Sequence, residues 1–151
     1  MSNMKSLRSP NTTALLRYLY SDVRRISDVA SPDIILHPAD RRVSASRVVD
    51  GAAGRPPLVG LAAAQAHEDA LVAATRGTLR MDVQGMIADA HFGAVLGVLR
   101  ATRQGCDDLA VPFCGVWRFV DGWAVEHWEN AADPAALARW LQQEPTGNGL
   151  S

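Results

Sequence analysis

The residues most able to do chemistry lie near the end of the chain, in Trp123-Ala124-Val125-Glu126-His127-Trp128-Glu129-Asn130. Read as a strand, this segment sends alternate side chains to opposite faces, so Trp123, Val125, His127 and Glu129 share one face and Glu126 and Trp128 the other. A carboxyl on an apolar, aromatic face has its charged form disfavoured, which is expected to raise the Glu129 pKa toward the range useful for proton transfer. An imidazole begins near that range, so His127 is a natural second proton carrier. Acid–base work on a carbon beside a carbonyl also needs a donor for the developing oxyanion. Tyr18, on the first helix, is the candidate. Phe113 and Trp117, on the preceding strand, are expected with Trp123 and Val125 to line a small-molecule pocket. Such chemistry needs neither a metal nor an organic cofactor.

The other reactive types are less well supported. His67 falls in an alanine-rich helix and His91 in a turn, so both are expected to face solvent. No histidine pair has ligand spacing with an added carboxylate, so no metal is expected. Cys106 and Cys114 lack disulfide-framework or zinc-knuckle spacing and read as reduced thiols. No phosphate loop or Ser-His-Asp order is present.

The elements that must hold these residues follow from periodicity and punctuation. Asn11, Thr12 or Thr13 can cap a helix in which Leu15, Tyr18, Leu19, Asp22 and Ile26 recur at helical spacing, with a possible break at Ser21-Asp22. Ser31-Pro32 ends it. Ile34-Ile35-Leu36 forms a short strand stopped by Pro38, and 41–57 reads as a long loop. Gly60 opens a helix over Leu61–Thr75. Strands follow over Thr78–Ile87, Phe92–Thr102 and Val111–Val120, then a hairpin turn at Asp121-Gly122 and the returning strand from Trp123. Asp133-Pro134 caps a last short helix. Helices gathered on one side of a curved antiparallel sheet make an α+β architecture with room for a small-molecule pocket. Residues 1–13 and 144–151 are expected to be a flexible arm and tail around one domain, 14–143.

Composition sets outer limits. The chain has 151 residues, 15 basic against 16 acidic, and a formal net charge of −1. That length suits one core, and the balanced charge lacks the basic stripe of a nucleic-acid binder. No apolar run is long enough for a bilayer and the start is not a secretory signal, so a cytoplasmic protein is expected.

The hairpin Phe113-Cys114-Gly115-Val116-Trp117-Arg118-Phe119-Val120-Asp121-Gly122-Trp123-Ala124-Val125-Glu126-His127-Trp128-Glu129-Asn130 resembles the final hairpin of SnoaL-like polyketide cyclases, within the nuclear transport factor 2-like superfamily. Arg17-Tyr18, Ile34-Ile35-Leu36-His37-Pro38 and Gly60 are similar to the earlier part of that pattern. The resemblance implies a cone-shaped α+β fold and a cyclase or isomerase acting on an apolar carbonyl compound such as a polyketide intermediate. It gives Glu129 the place of the general acid/base. It also matches His37 to the base and Tyr18 to the oxyanion tyrosine of ketosteroid isomerases, whose protonated aspartate falls near Gly115. The Arg-x-Asp of limonene-epoxide-hydrolase-like members is replaced by Val95 and Gly97, which argues against epoxide opening by that route. A dehydratase or epoxide-opening enzyme in the same pocket is the second reading, and a non-catalytic binding or assembly module the third. A homodimer through the sheet face bearing Glu126 and Trp128 is implied as the partner arrangement.

Overall fold

The first helix starts where a side chain can satisfy its orphan amides. Asn11 Oδ1 accepts from Ala14 N at 3.0 Å, and α1 runs over Thr12–Tyr20 with Leu16 and Leu19 buried. A computed structural model describes residues 11–41 and 55–143, so most of the expected arm and loop, and the tail, lie outside the described residues. Thr12 and Thr13, assigned above to the arm, are already helical. Helical pattern continues past Ser21, but α1 does not. Asp22 takes an extended backbone, and its carboxylate accepts from the Arg24 amide, so a side chain replaces the helical ladder. A 3-10 turn, Val23–Arg25, and a short α2, Ile26–Val29, follow.

β1, Ala30–His37, begins earlier than expected and passes through Pro32. Its pairing with the last strand is interrupted between Ala30 and Ile35, so the proline lies where no ladder amide is required. β2, Leu58–Val59, pairs with β1, and Gly60 turns the chain into α3, Leu61–Ala74. β3, Arg80–Ala88, β4, Phe92–Ala101, β5, Leu109–Val120, and β6, Trp123–Ala131, form a meander, closed by α4, Pro134–Gln142. Asp121 and Gly122 both have positive φ, as the two-residue turn between β5 and β6 requires.

The six strands lie in the order β2-β1-β6-β5-β4-β3, antiparallel except for β1 beside β6. Bulges between Val83 and Gly85 and between Arg118 and Phe119 accompany the bend of the curved sheet. The helices cover the concave face, where two apolar clusters form. One gathers Leu16, Leu19, Ile34, Leu36, Trp117 and Phe119; the other gathers Leu99, Leu109, Val111, Leu137 and Trp140 beneath α4. The buried Arg103 guanidinium ties the second cluster to the helices by donating to the carbonyls of Ala74, Trp140 and Gln143. Among the described residues no helix is long and apolar enough to cross a membrane.

Candidate functional site

Between the two clusters the sheet and helices enclose a cavity of about 290 Å³. Leu19, Leu71, Leu99, Met81 and Phe113 supply much of its apolar wall, and Tyr20, His67, Glu68, His127 and Glu129 bring polar atoms to it. The register of β6 decides which of its residues arrive there. Phe119 pairs with Ala124 but Arg118 pairs with Glu126, so Val125 is an extra residue on β6. Beyond this bulge the alternation changes phase: Ala124, His127 and Glu129 are buried, with Leu36 opposite His127 on β1.

Glu129 is held at both oxygens. Oε1 accepts from Ala39 N at 3.1 Å and Oε2 from His67 Nε2 at 2.9 Å. The Arg41 guanidinium donates to Glu129 O and Asn130 Oδ1, fixing the strand end that carries this carboxyl. Burial alone would raise the Glu129 pKa, as anticipated from sequence. The His67 hydrogen bond, the charges of His67 and His127 and the Ala39 amide together outweigh it, and the carboxyl titrates below its ordinary value. The expected upward shift is therefore corrected.

His127 Nδ1 donates to Val116 O at 3.0 Å, leaving Nε2 as an acceptor. Its ring stacks on Trp117 with centroids 3.6 Å apart and planes 14° from parallel. Burial dominates here and lowers its pKa to about 4, so the imidazole is neutral near pH 7. Trp117 Nε1 donates to the Tyr20 hydroxyl at 3.0 Å. Among the described residues no acceptor takes the Tyr20 hydroxyl hydrogen, which is thus available to a ligand. Burial pushes the phenol well above its ordinary pKa, keeping that hydrogen in place. A Cβ on Gly115 would overlap the Tyr20 oxygen and come within 3.1 Å of His127 Cε1. The bare glycine therefore makes the space in which the phenol stands.

Several sequence expectations are moved by the tertiary structure. His37 lies outside the cavity, on the opposite sheet face, donating from Nε2 to Glu126 at 2.7 Å and stacking on Trp128. Tyr18 is 43% exposed and donates to Asp28 at 2.6 Å, because it lies on the outward side of the helix whose inner side carries Leu16, Leu19 and Tyr20. Trp123 is 39% exposed and Val125 sits in the bulge; neither lines the cavity, whereas Phe113 and Trp117 do. His91 is exposed, but His67 is buried against Glu129. Ala64, His67, Glu68 and Leu71 recur at helical spacing and mark the inner stripe of α3. The abundance of alanine around them removed the polar contrast that would have exposed this stripe to sequence reading.

His67, Glu68 and Glu129 are also the described set that could hold a metal ion, their ligand atoms all lying within 4.8 Å of one another. Both Glu129 oxygens already accept hydrogen bonds, whereas Glu68 Oε1 is buried without a partner.

A bent six-stranded sheet with helices over its concave side and a polar-centred hollow between them is the nuclear transport factor 2-like, cystatin-like fold. Solved structures with this fold include a protein of unknown function from Xanthomonas campestris (TM-score 0.67, 18% identity, 87% of this chain and 98% of that chain covered). They also include IdmH, a candidate polyketide cyclase from Streptomyces antibioticus (TM-score 0.61, 18% identity, 88% and 99% covered). A candidate SnoaL-like polyketide cyclase from Jannaschia sp. CCS1 is similar over 80% of this chain and 78% of its own (TM-score 0.59, 14% identity). No protein-family model matches the chain, and no curated protein matches it.

Proposed function

We propose that the protein is an acid–base enzyme that enolises an apolar carbonyl compound, polyketide-like in character, and closes it intramolecularly. The observation that carries this reading is the Glu129 carboxylate, buried in the cavity and oriented at both oxygens by His67 and Ala39. A carboxylate fixed in this way is ionised near neutral pH and positioned before any substrate arrives, which is what proton abstraction requires. The Tyr20 hydroxyl is the donor for the oxygen on which negative charge develops, and Trp117 N–H, bonded to its oxygen, strengthens that donor. Glu129 takes a proton from the carbon beside the carbonyl, the carbon attacks a second carbonyl in the same molecule, and the proton goes to the new alkoxide. The product is an isomer of unchanged mass. Likeness in fold to candidate polyketide cyclases supports the substrate class. The cavity volume, at the lower end of the roughly 300–1,000 Å³ usual for small-molecule sites, suits a compact substrate.

A panel of apolar β-dicarbonyl compounds tests the reading through deuterium exchange at the α-carbon and through product mass. Wild type is expected to catalyse exchange, and Glu129→Gln to lose it by at least about 100-fold. Exchange within a few-fold of wild type in Glu129→Gln would remove Glu129 as the base. Products lighter by one water would replace cyclisation with dehydration from the same base.

A further inference from the structure

We propose that Glu68 is a second catalytic residue of this cavity, a carboxylic acid whose O–H is offered to the substrate oxygen while Glu129 works on the adjacent carbon. The inference rests on the acid–base reading above and adds to it a group that the sequence pattern did not mark. Glu68 is 4% exposed, on α3 next to His67, and lines the same cavity. Its Oε1 is shut off from solvent, has no hydrogen-bond partner and stands 3.9 Å from His67 Nε2, beyond hydrogen-bond reach.

The charge balance of the cluster separates the two carboxyls. One imidazole, His67, lies beside both, so the three groups carry at most one positive charge against two negative ones. The arginines lining the cavity do not alter this count: Arg24 is paired with Asp22, Arg55 with Asp40, and Arg80 is exposed on β3. His127 is neutral, and the Tyr20 phenol keeps its proton. Two ionised carboxylates packed together in this setting repel, and one of them would leave a charged oxygen buried and bare. Glu129 has a donor on each oxygen and is the one stabilised as an anion. Glu68 has none on Oε1 and is the one that holds a proton. Burial first, then the negative charge of Glu129 and of Asp69, keep that proton on.

An enolisable unit places its oxygen one atom away from the carbon that loses the proton, matching two carboxyls that bring one oxygen each within 4.8 Å of the other. In the first step Glu129 takes the α-proton, the C–H electron pair forms the C=C bond, and the carbonyl π pair moves to oxygen, which receives the Glu68 proton. In the return step the enol O–H proton goes back to Glu68, the enol carbon bonds to the second carbonyl, and its oxygen takes the proton from Glu129. The pair holds one proton before and one after, so turnover needs no other proton donor. In this way Glu68 supplies the neutral acid that Gly115 cannot.

Difference infrared spectroscopy of wild type against Glu68→Gln, at neutral pH and without substrate, reads the protonation state directly. A protonated-carboxyl C=O band present in wild type and absent from Glu68→Gln is expected. Its absence from wild type would overturn the assignment, whatever the fate of Glu129→Gln in the exchange assay. Titration with Zn²⁺ or Mn²⁺ alone adds a second arm: micromolar binding that abolishes the band would make the trio a metal site with both carboxylates ionised. On any β-dicarbonyl that wild type exchanges, Glu68→Leu is expected to lose at least tenfold in kcat, with Glu68→Gln, which keeps an N–H donor, recovering part of it. An unchanged kcat in Glu68→Leu alongside an intact wild-type band would reduce Glu68 to a buried neutral spacer and sink the catalytic role.

Discussion

Tyr20 stands where it does because a strand residue facing it has no side chain. Gly115 leaves the volume that the phenol oxygen fills, so Gly115→Ala must displace either Tyr20 or the β5 backbone. A loss of about 1–3 kcal/mol is expected, read as a lowered midpoint in urea unfolding. Tyr20→Phe keeps the packing but leaves Trp117 N–H without its partner, which costs about 1–3 kcal/mol when such a group is buried. On the proposed reaction it should lower kcat by ~100-fold or more, the effect of removing one oxyanion donor. Tyr18→Phe is the control: its hydroxyl faces solvent and Asp28, so both stability and turnover should stay close to wild type. Equal losses in the two variants would show that the cavity phenol has no special role.

At the scale of elements, α4 is the piece whose anchoring is easiest to perturb without touching the polar centre. Asp133 Oδ1 accepts from Ala136 N at 3.0 Å, Pro134 occupies the first turn, and Leu137 both joins the second apolar cluster and lines the cavity. Asp133→Ala removes the cap and is expected to cost about 1 kcal/mol, seen as a lower Tm. No change in Tm would mean that packing of Leu137 and Trp140 alone sets the position of α4. The outer face of the sheet poses a different problem. Register places Ile87, Ala94, Val116 and Trp128 in one row, with Leu96 and Phe92 in the rows on either side. Ile87 is 71% exposed, and Phe92 and Leu96 are also exposed. We propose that two copies pair through this face. Sedimentation should give a dimer for wild type and a shift toward monomer for Leu96→Glu; a wild-type monomer at tens of micromolar would end that idea.

For the whole molecule, the buried titrating groups shape stability against pH with opposite signs. His127 is neutral when folded down to about pH 4 and protonates near 6.5 when unfolded, so it favours folding more as pH rises between those values. Glu68, protonated when folded and ionised above about 4.3 when unfolded, does the reverse from that pH up to its raised folded value. Glu129, with a lowered folded value, contributes stability that is present above about 4.3 and lost as pH falls through its folded pKa. Where both act, the His127 and Glu68 contributions oppose each other and flatten the profile. The destabilising Glu68 contribution grows with pH until Glu68 titrates in the folded protein. Glu68→Gln should remove that opposing contribution and leave the steeper His127 rise between about pH 4 and 6.5. Urea unfolding across pH 4 to 9 checks both, and an unchanged profile in Glu68→Gln would contradict the neutral acid.

Local rules carried much of the fold. The Asp121-Gly122 turn, the Asp133 cap, a first-helix cap among Asn11, Thr12 and Thr13, a break at Ser21-Asp22 and the long strands were legible, because each depends on residues a few positions apart; the structure selects Asn11. Glu129 and His127 were likewise readable as partners on one face. The sequence had no means of showing that Val125 is an extra residue on β6, since a bulge exists only relative to the strand beside it, and that one residue moved Trp123 out of the lining set. Nor could it show that α3 turns His67 and Glu68 toward a carboxyl some 60 positions later. An alanine-rich helix has little polar contrast of its own, and what it presents to the cavity was settled by the sheet it packs against.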